Sequence, residues 1–224
     1  MNEFVAIFTR EKILQQIFIE LNNFTELKQS LEVVIKYVKF LTSCEAVAIR
    51  LKEAYSSCNY YTYDGFSEDF IAHENDIVVK DENNNCVLDK NNNCLLQCMC
   101  GAVLNSTTST DYEFFTEGGS FWTNSSSELL KDLSKEVIDT FKIRGHCSIC
   151  GYESIALIPI RYNGTIVGLL QINDKNSNKF TYELINYMEM VGIQIGIAIR
   201  NRMLYSNLLD KYNELVSERG VANG

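Results

Sequence analysis

Ile155-Ala156-Leu157-Ile158-Pro159-Ile160, Asn163-Gly164 and Ile166-Val167-Gly168-Leu169-Leu170-Gln171-Ile172 follow one another closely: two apolar runs separated by a turn signal. Asn-Gly between two such runs predicts a β-hairpin, because both residues accept the positive φ of a tight turn. Pro159, the sole proline, has no N–H to donate, so its strand is expected to carry a bulge or lie locally at an edge.

Upstream of the hairpin, Ala46 to Leu51 suits a central strand, and Asn59-Tyr60-Tyr61-Thr62-Tyr63 is aromatic and β-prone, ending at Asp64-Gly65. Leu14, Ile17, Phe18 and Leu21 recur at helical spacing and predict a first helix. A second runs through Leu27, Leu31, Val34, Ile35, Val38 and Leu41, with Asn23 and Glu26 read as its N-cap pair. Phe66 to Ile71 predicts a short helix capped by Ser67.

Downstream, Thr181 to about Ser217 predicts one long helix. Its seam of Leu184, Met188, Val191, Ile195, Ala198, Arg202, Tyr205, Leu209, Tyr212 and Val216 alternates four and three. The first half is expected to cover the sheet; the part past Arg200 has no domain left to pack on and suits a second copy of the chain. Gly192 and Gly196 thin one face for close approach of the sheet or another helix.

Four of the eight cysteines form two pairs, Cys98-Met99-Cys100-Gly101 and Cys147-Ser148-Ile149-Cys150-Gly151. Thiolates at these spacings, with glycines that let each loop fold back, suit one tetrahedral metal ion; buried packing is the alternative for any cysteine. Asp81-Glu82-Asn83-Asn84-Asn85-Cys86 nearly repeats as Asp89-Lys90-Asn91-Asn92-Asn93-Cys94. Each Asn triplet predicts a turn, within a small meander that delivers Cys98 and Cys100. Cys86 and Cys94, like Cys44 and Cys58, are expected outside the cluster. Residues 101 to 146 are irregular up to a helical stretch near Glu128 to Phe141, and carry Phe121 and the only tryptophan, Trp122, as core or pocket wall.

A chain of 224 residues with 46% hydrophobic residues can bury one core. Its net charge of -9, without a basic run, argues against nucleic acid. No apolar run reaches membrane-spanning length and the start lacks the layout of a secretion signal, so a cytoplasmic protein without membrane insertion is expected. Thiols stay reduced there, which favours metal ligation or redox work over disulfides.

Gly151-Tyr152-Glu153-Ser154 leading into the hairpin, Gly168-Leu169-Leu170-Gln171-Ile172 and the closing helix resemble a GAF domain over roughly residues 25 to 202. More narrowly, Tyr63-Asp64-Gly65-Phe66, Cys98-Met99-Cys100-Gly101 and Cys147 resemble a cysteine-bearing subgroup found in bacterial and archaeal sensor histidine kinases. The resemblance implies an α/β (α+β) fold: an antiparallel sheet of five or six strands, helices on one face and a ligand pocket on the other. It divides the chain into an N-terminal helix (1–24), the GAF domain with its Cys-rich insertion (25–202) and a signalling helix and tail (203–224). It implies a sensor rather than a catalyst, with a histidine kinase or other output domain as partner, while the seam past Arg200 predicts a homodimer. The pattern of nucleotide-binding members is only approximated, by Asn173, Lys175, Phe180 and Glu183.

Three chemistries fit this frame. Zinc on Cys98, Cys100, Cys147 and Cys150 would be a closed structural site fastening 101 to 146 to the strand near Glu153. Haem, which some resembling sensors carry, would take an axial nitrogen from His146, although no C-x-x-C-H motif is present. A small GAF family reduces free methionine sulfoxide with cysteines where Cys147 and Cys150 stand. Tyr63, Phe121 and Trp122 are the expected walls of a small-molecule pocket.

Overall fold

The computed structural model describes residues 3–23, 26–52, 58–89, 92 and 94–221, with the side chains of 3–9 and 217–221 outside the description. In chain order the elements are α1 (Glu3–Asn22), α2 (Leu27–Thr42), β1 (Ala46–Leu51), β2 (Tyr60–Asp64), α3 (Glu68–Glu74), α4 (Cys98–Leu104) and β3 (Phe121–Thr123). Then follow α5 (Ser126–Asp132), α6 (Lys135–Phe141), α7 (His146–Ile149), β4 (Ser154–Tyr162), β5 (Thr165–Asp174) and α8 (Tyr182–Val221).

The β4–β5 hairpin forms as its sequence dictates. Tyr162 pairs with Thr165, leaving a two-residue turn in which Asn163 and Gly164 have φ of 47° and 77°. Around it the strands order β2-β1-β5-β4-β3, all antiparallel. Pro159 fits both readings of its strand: β3 pairs with β4 only from Ile155 to Leu157, so Pro159 stands beyond its end, and the register shifts at Ile160/Arg161.

Alternation then sorts the strands into two cores. Val47, Ile49, Ala156, Ile158, Leu170 and Ile172 meet α1, α2 and α8, while Ala46, Ala48, Ile155, Leu157, Leu169 and Phe121 meet the short helices and loops of the other face. The N-terminal helix is part of the first core through Ile13, Ile17 and Leu21, and Tyr187 Oη donates to the Arg10 carbonyl at 2.8 Å. Gly192 and Gly196 let α8 lie directly on β4: a Cβ at these positions would stand 2.6 Å from the Pro159 carbonyl oxygen and 2.1 Å from that of Arg161.

Several local expectations change. Asn23 does not cap α2, whose N-cap is Glu26 with no side-chain cap bond; the Asn23 side chain donates instead to Glu20, back onto the end of α1. The stretch near Glu128 to Phe141 is two helices, because Leu133 turns extended and Ser134 caps the second by accepting the Val137 N–H at 3.3 Å. Ser67 does cap α3, accepting from the Phe70 N–H at 3.2 Å.

The Asn-rich repeat closes on itself. Val87 N–H donates to the Val79 carbonyl at 2.9 Å, Leu95 N–H to Val87 at 2.8 Å and Val79 N–H to Leu95 at 2.8 Å, a ring with three-fold character. Asn84 and Asn92 supply the left-handed turns, with φ of 65° and 62°. The eight-residue offset puts Cys86 and Cys94 side by side, Cα atoms 5.8 Å apart, in a disulfide. This corrects the expectation of reduced thiols: equivalent positions of a closed repeat are neighbours in space however far the pair lies from the other cysteines.

Candidate functional site

Between the second face of the sheet and its roof lies a cavity of about 50 Å³. Met99, Phe121, Leu129, Leu130, Leu133, Ile143, Ile155 and Leu157 make most of its wall, and Cys98, Cys100 and Cys147 add three thiols. Glu74 and His146 border it. An open cleft of about 390 Å³ adjoins, sharing Leu130, Ile143, Gly145 and Ser148 with the cavity.

β5 contributes polar groups that an apolar strand does not ordinarily bury. Gln171 and Asn173 are fully buried and pair with Leu157 and Ile155, so they belong to the cavity face. Tyr60 Oη donates to Gln171 Oε1 at 2.9 Å, and Gln171 Nε2 donates to Asn173 Oδ1 at 3.2 Å. Asn173 Nδ2 ends the ladder without a hydrogen-bond partner. The Cys147 sulfur lies 3.9 Å from Gln171 Nε2 and within reach of Asn173.

Beside the ladder, the fully buried Arg50 places its guanidinium 3.5 Å from the centre of the Tyr60 ring. It donates to the carbonyls of Cys58 at 2.9 Å and Asn75 at 3.0 Å, and also to that of Glu74. These bonds hold the end of α3, from which the Glu74 carboxylate pairs with Arg144 at 2.8 Å. His146 stacks with Phe70 and His73 at ring separations of 5.8 and 5.4 Å, and its Nε2 lies 3.5 Å from the Cys150 sulfur.

Burial pushes the Cys100 thiol up to about 12. Burial first, then the neighbouring Cys100 and Cys98, raises Cys147 well above the ordinary thiol value. Burial and the Glu74 carboxylate raise Cys150. Cys100, Cys147 and Cys150 are therefore held in their protonated form, the reverse of what a free nucleophile requires.

The four expected ligands are gathered in one region but do not make a tetrahedral site. Among the described residues no three His, Cys, Asp or Glu side chains are placed to hold a metal ion together. Cys98 and Cys100 open α4 rather than a loop, Cys98 in the left-handed region at φ 65°, and both line the cavity beside Cys147. Cys150 turns to His146 at the rim. The cavity of about 50 Å³ is by itself far below the roughly 300–1,000 Å³ of pockets for ligands of drug size, so haem at His146 would need the adjoining cleft as well.

Of the three expected pocket residues, Phe121 lines the cavity. Trp122 packs against the helix-face core instead, because one step along a strand reverses the face. Tyr63 pairs with Ala48 on the cavity side, but on an edge strand, exposed and outside the lining. Tyr60, Gln171, Arg50 and Glu74 were not among the expected site residues, and Asn173 stood only in the approximated nucleotide pattern; the polar residues interrupting an otherwise apolar β5 were the available signal.

The arrangement is that of an α+β domain with a roofed cavity on one sheet face and long helices on the other. A family model described as GAF domain matches residues 26–199, and the chain belongs to that family. The fold is similar to that of the GAF domain of an Acinetobacter phosphoenolpyruvate-protein phosphotransferase, 14% identical over 91% of this chain and 97% of that one, TM-score 0.58. It is also similar to a domain of a two-component sensor histidine kinase protein from Sinorhizobium meliloti, 11% identical over 82% and 97%, TM-score 0.52. A third likeness is to free methionine-R-sulfoxide reductase from Neisseria meningitidis, 11% identical over 85% and 88%, TM-score 0.55. No curated protein matches the chain. No helix among the described residues is long and apolar enough to cross a membrane.

Proposed function

We propose that the chain is a non-catalytic sensor that receives a small molecule or a redox cue at the thiol-lined cavity and signals through α8. One observation carries this reading: α8 runs unbroken for 40 residues, buried on the sheet through Leu184, Met188, Val191, Ile195 and Ala198, then exposed at Tyr205, Leu209, Tyr212 and Val216. That exposed seam suits a parallel coiled coil with a second copy, leading to a histidine kinase or other output domain. The sensor kinase among the similar folds supports the partner class. In this reading the domain works in the cytoplasm, where reducing conditions would open the Cys86–Cys94 bridge.

Amide hydrogen exchange along α8 tests the coupling. Leu133→Phe puts a ring into the cavity, and the expected result is altered protection between Met203 and Val216 with the sheet unchanged. A filled cavity that leaves α8 exchange untouched refutes the sensory reading.

A thiol reductase is the second reading, supported by the three cavity thiols and the likeness to the Neisseria enzyme. The raised thiols weigh against it, since such an enzyme needs a ready thiolate. Turnover of free methionine-R-sulfoxide with dithiothreitol would establish it.

A further inference from the structure

The two cysteines carried by α7 have different surroundings. Cys147 lies within the helix and faces the amides of β5, while Cys150 caps its end and rests against His146. Positions three apart share a helix face with Cβ atoms about 5–6 Å apart. A disulfide needs them roughly 1–2 Å closer. Gly145 and Gly151 bracket the segment in left-handed conformations, φ 68° and 81°, and a Cβ at Gly151 would meet nothing within 4 Å. The segment therefore has room to tighten. Ile149, between the two cysteines, is 78% exposed, so the strip is open to small solutes.

We propose that Cys147 and Cys150 form a redox-active dithiol: Cys150, with His146 as its base, exchanges with a low-molecular-weight disulfide, and Cys147 closes an internal bridge. In the first step the Cys150 S–H proton passes to His146 Nε2 as the sulfur attacks RSSR. The S–S bond breaks and one RS⁻ leaves, taking the proton to become RSH. Cys147 then attacks the Cys150 sulfur of the mixed disulfide, and the second RS⁻ leaves with the Cys147 proton. Two protein thiols are oxidised to one disulfide while RSSR is reduced to two RSH.

The geometry gives each group its part. The 3.5 Å contact puts a base on the outer thiol, and because burial and Glu74 keep that thiol protonated, the proton must be removed during attack. The inner thiol is turned toward Gln171 Nε2 and the unpartnered Asn173 Nδ2, donors that stabilise negative charge on sulfur as it forms. Closing the bridge draws Cys147 off the cavity wall, which would make the dithiol the input of the sensory reading on which this last step rests.

The test equilibrates the full chain with oxidised and reduced glutathione in varied ratio, alkylates it and maps the peptides by mass spectrometry. A Cys147–Cys150 bridge is expected in wild type. A glutathione adduct trapped on Cys150 is expected in Cys147→Ser, and about tenfold slower oxidation in His146→Asn. Both thiols staying alkylated at every ratio, or a bridge from Cys147 to Cys98 or Cys100, overturns the proposal. The assay reads chemistry at the pair alone, so a bridge that forms without changing α8 exchange sustains the dithiol and refutes its part as the input of the sensory reading.

Discussion

Arg202 reaches from α8 to α2, its Nη2 2.9 Å from Ser30 Oγ and 2.5 Å from the Asn23 carbonyl oxygen. The guanidinium donates both bonds, so Arg202 ties the helix to the α1–α2 junction where α8 leaves the domain. Arg202 is thus taken up within the domain, and the exposed seam starts after it.

Arg202→Ala should destabilise the domain by about 1–2 kcal/mol through these charge-assisted bonds. Urea denaturation measures the loss, and Ser30→Ala in a double-mutant cycle should show the two changes to be less than additive.

Leu209→Lys with Val216→Lys places like charges on the exposed seam without touching the domain. If the proposed coiled coil forms, light scattering should report a dimer for the wild type and a monomer for this variant, with the melting temperature of the domain retained. A variant that stays dimeric moves the interface away from α8.

Arg50→Met removes the donor to three carbonyls around the end of α3. The cost should be about 3 kcal/mol in urea denaturation, because buried acceptors lose a charged partner. Glu74 and Arg144 should lose order with it, seen as faster exchange in α3.

Stability should depend on alkaline pH through Cys100. Its thiol is raised from 9.0 to about 12 in the folded chain, so the native state binds the proton over that interval and the unfolded state does not. The contribution is fully present below pH 9 and is lost as pH rises toward 12, by up to about 1.4 kcal/mol per pH unit. Cys100→Ser should flatten that slope in denaturation curves taken across the interval.

Gly196→Ala should cost roughly 1–3 kcal/mol by overpacking, since its methyl would meet the Arg161 carbonyl oxygen at 2.1 Å and push α8 off β4. The same substitution at Gly192 meets the Pro159 carbonyl oxygen at 2.6 Å and should cost less.

The hairpin and α8 were legible because their signals are local: Asn163-Gly164 fixes a turn by backbone angle, and the seam of α8 repeats through many turns. The Asn triplets likewise announced their left-handed residues. The cysteine geometry was not legible, since C-x-C spacing reads alike in a loop and in a helix, and only tertiary packing made Cys98 to Leu104 helical. Phe121 and Trp122 differ by one residue and one face, a choice set by the pairing of β3 with β4. Arg50 gave no sign of burial in sequence, because its partners are carbonyls of distant residues.

The closed ring of Val79, Val87 and Leu95 enters and leaves the domain at one place, where Gln97 N–H donates to the Ile77 carbonyl at 2.7 Å. Its length is thus uncoupled from the geometry of the sheet, and the loop around Asn84 is a natural handle. A fluorophore or affinity tag inserted there would ride on a self-contained knot of backbone, reporting on the domain without entering its mechanics.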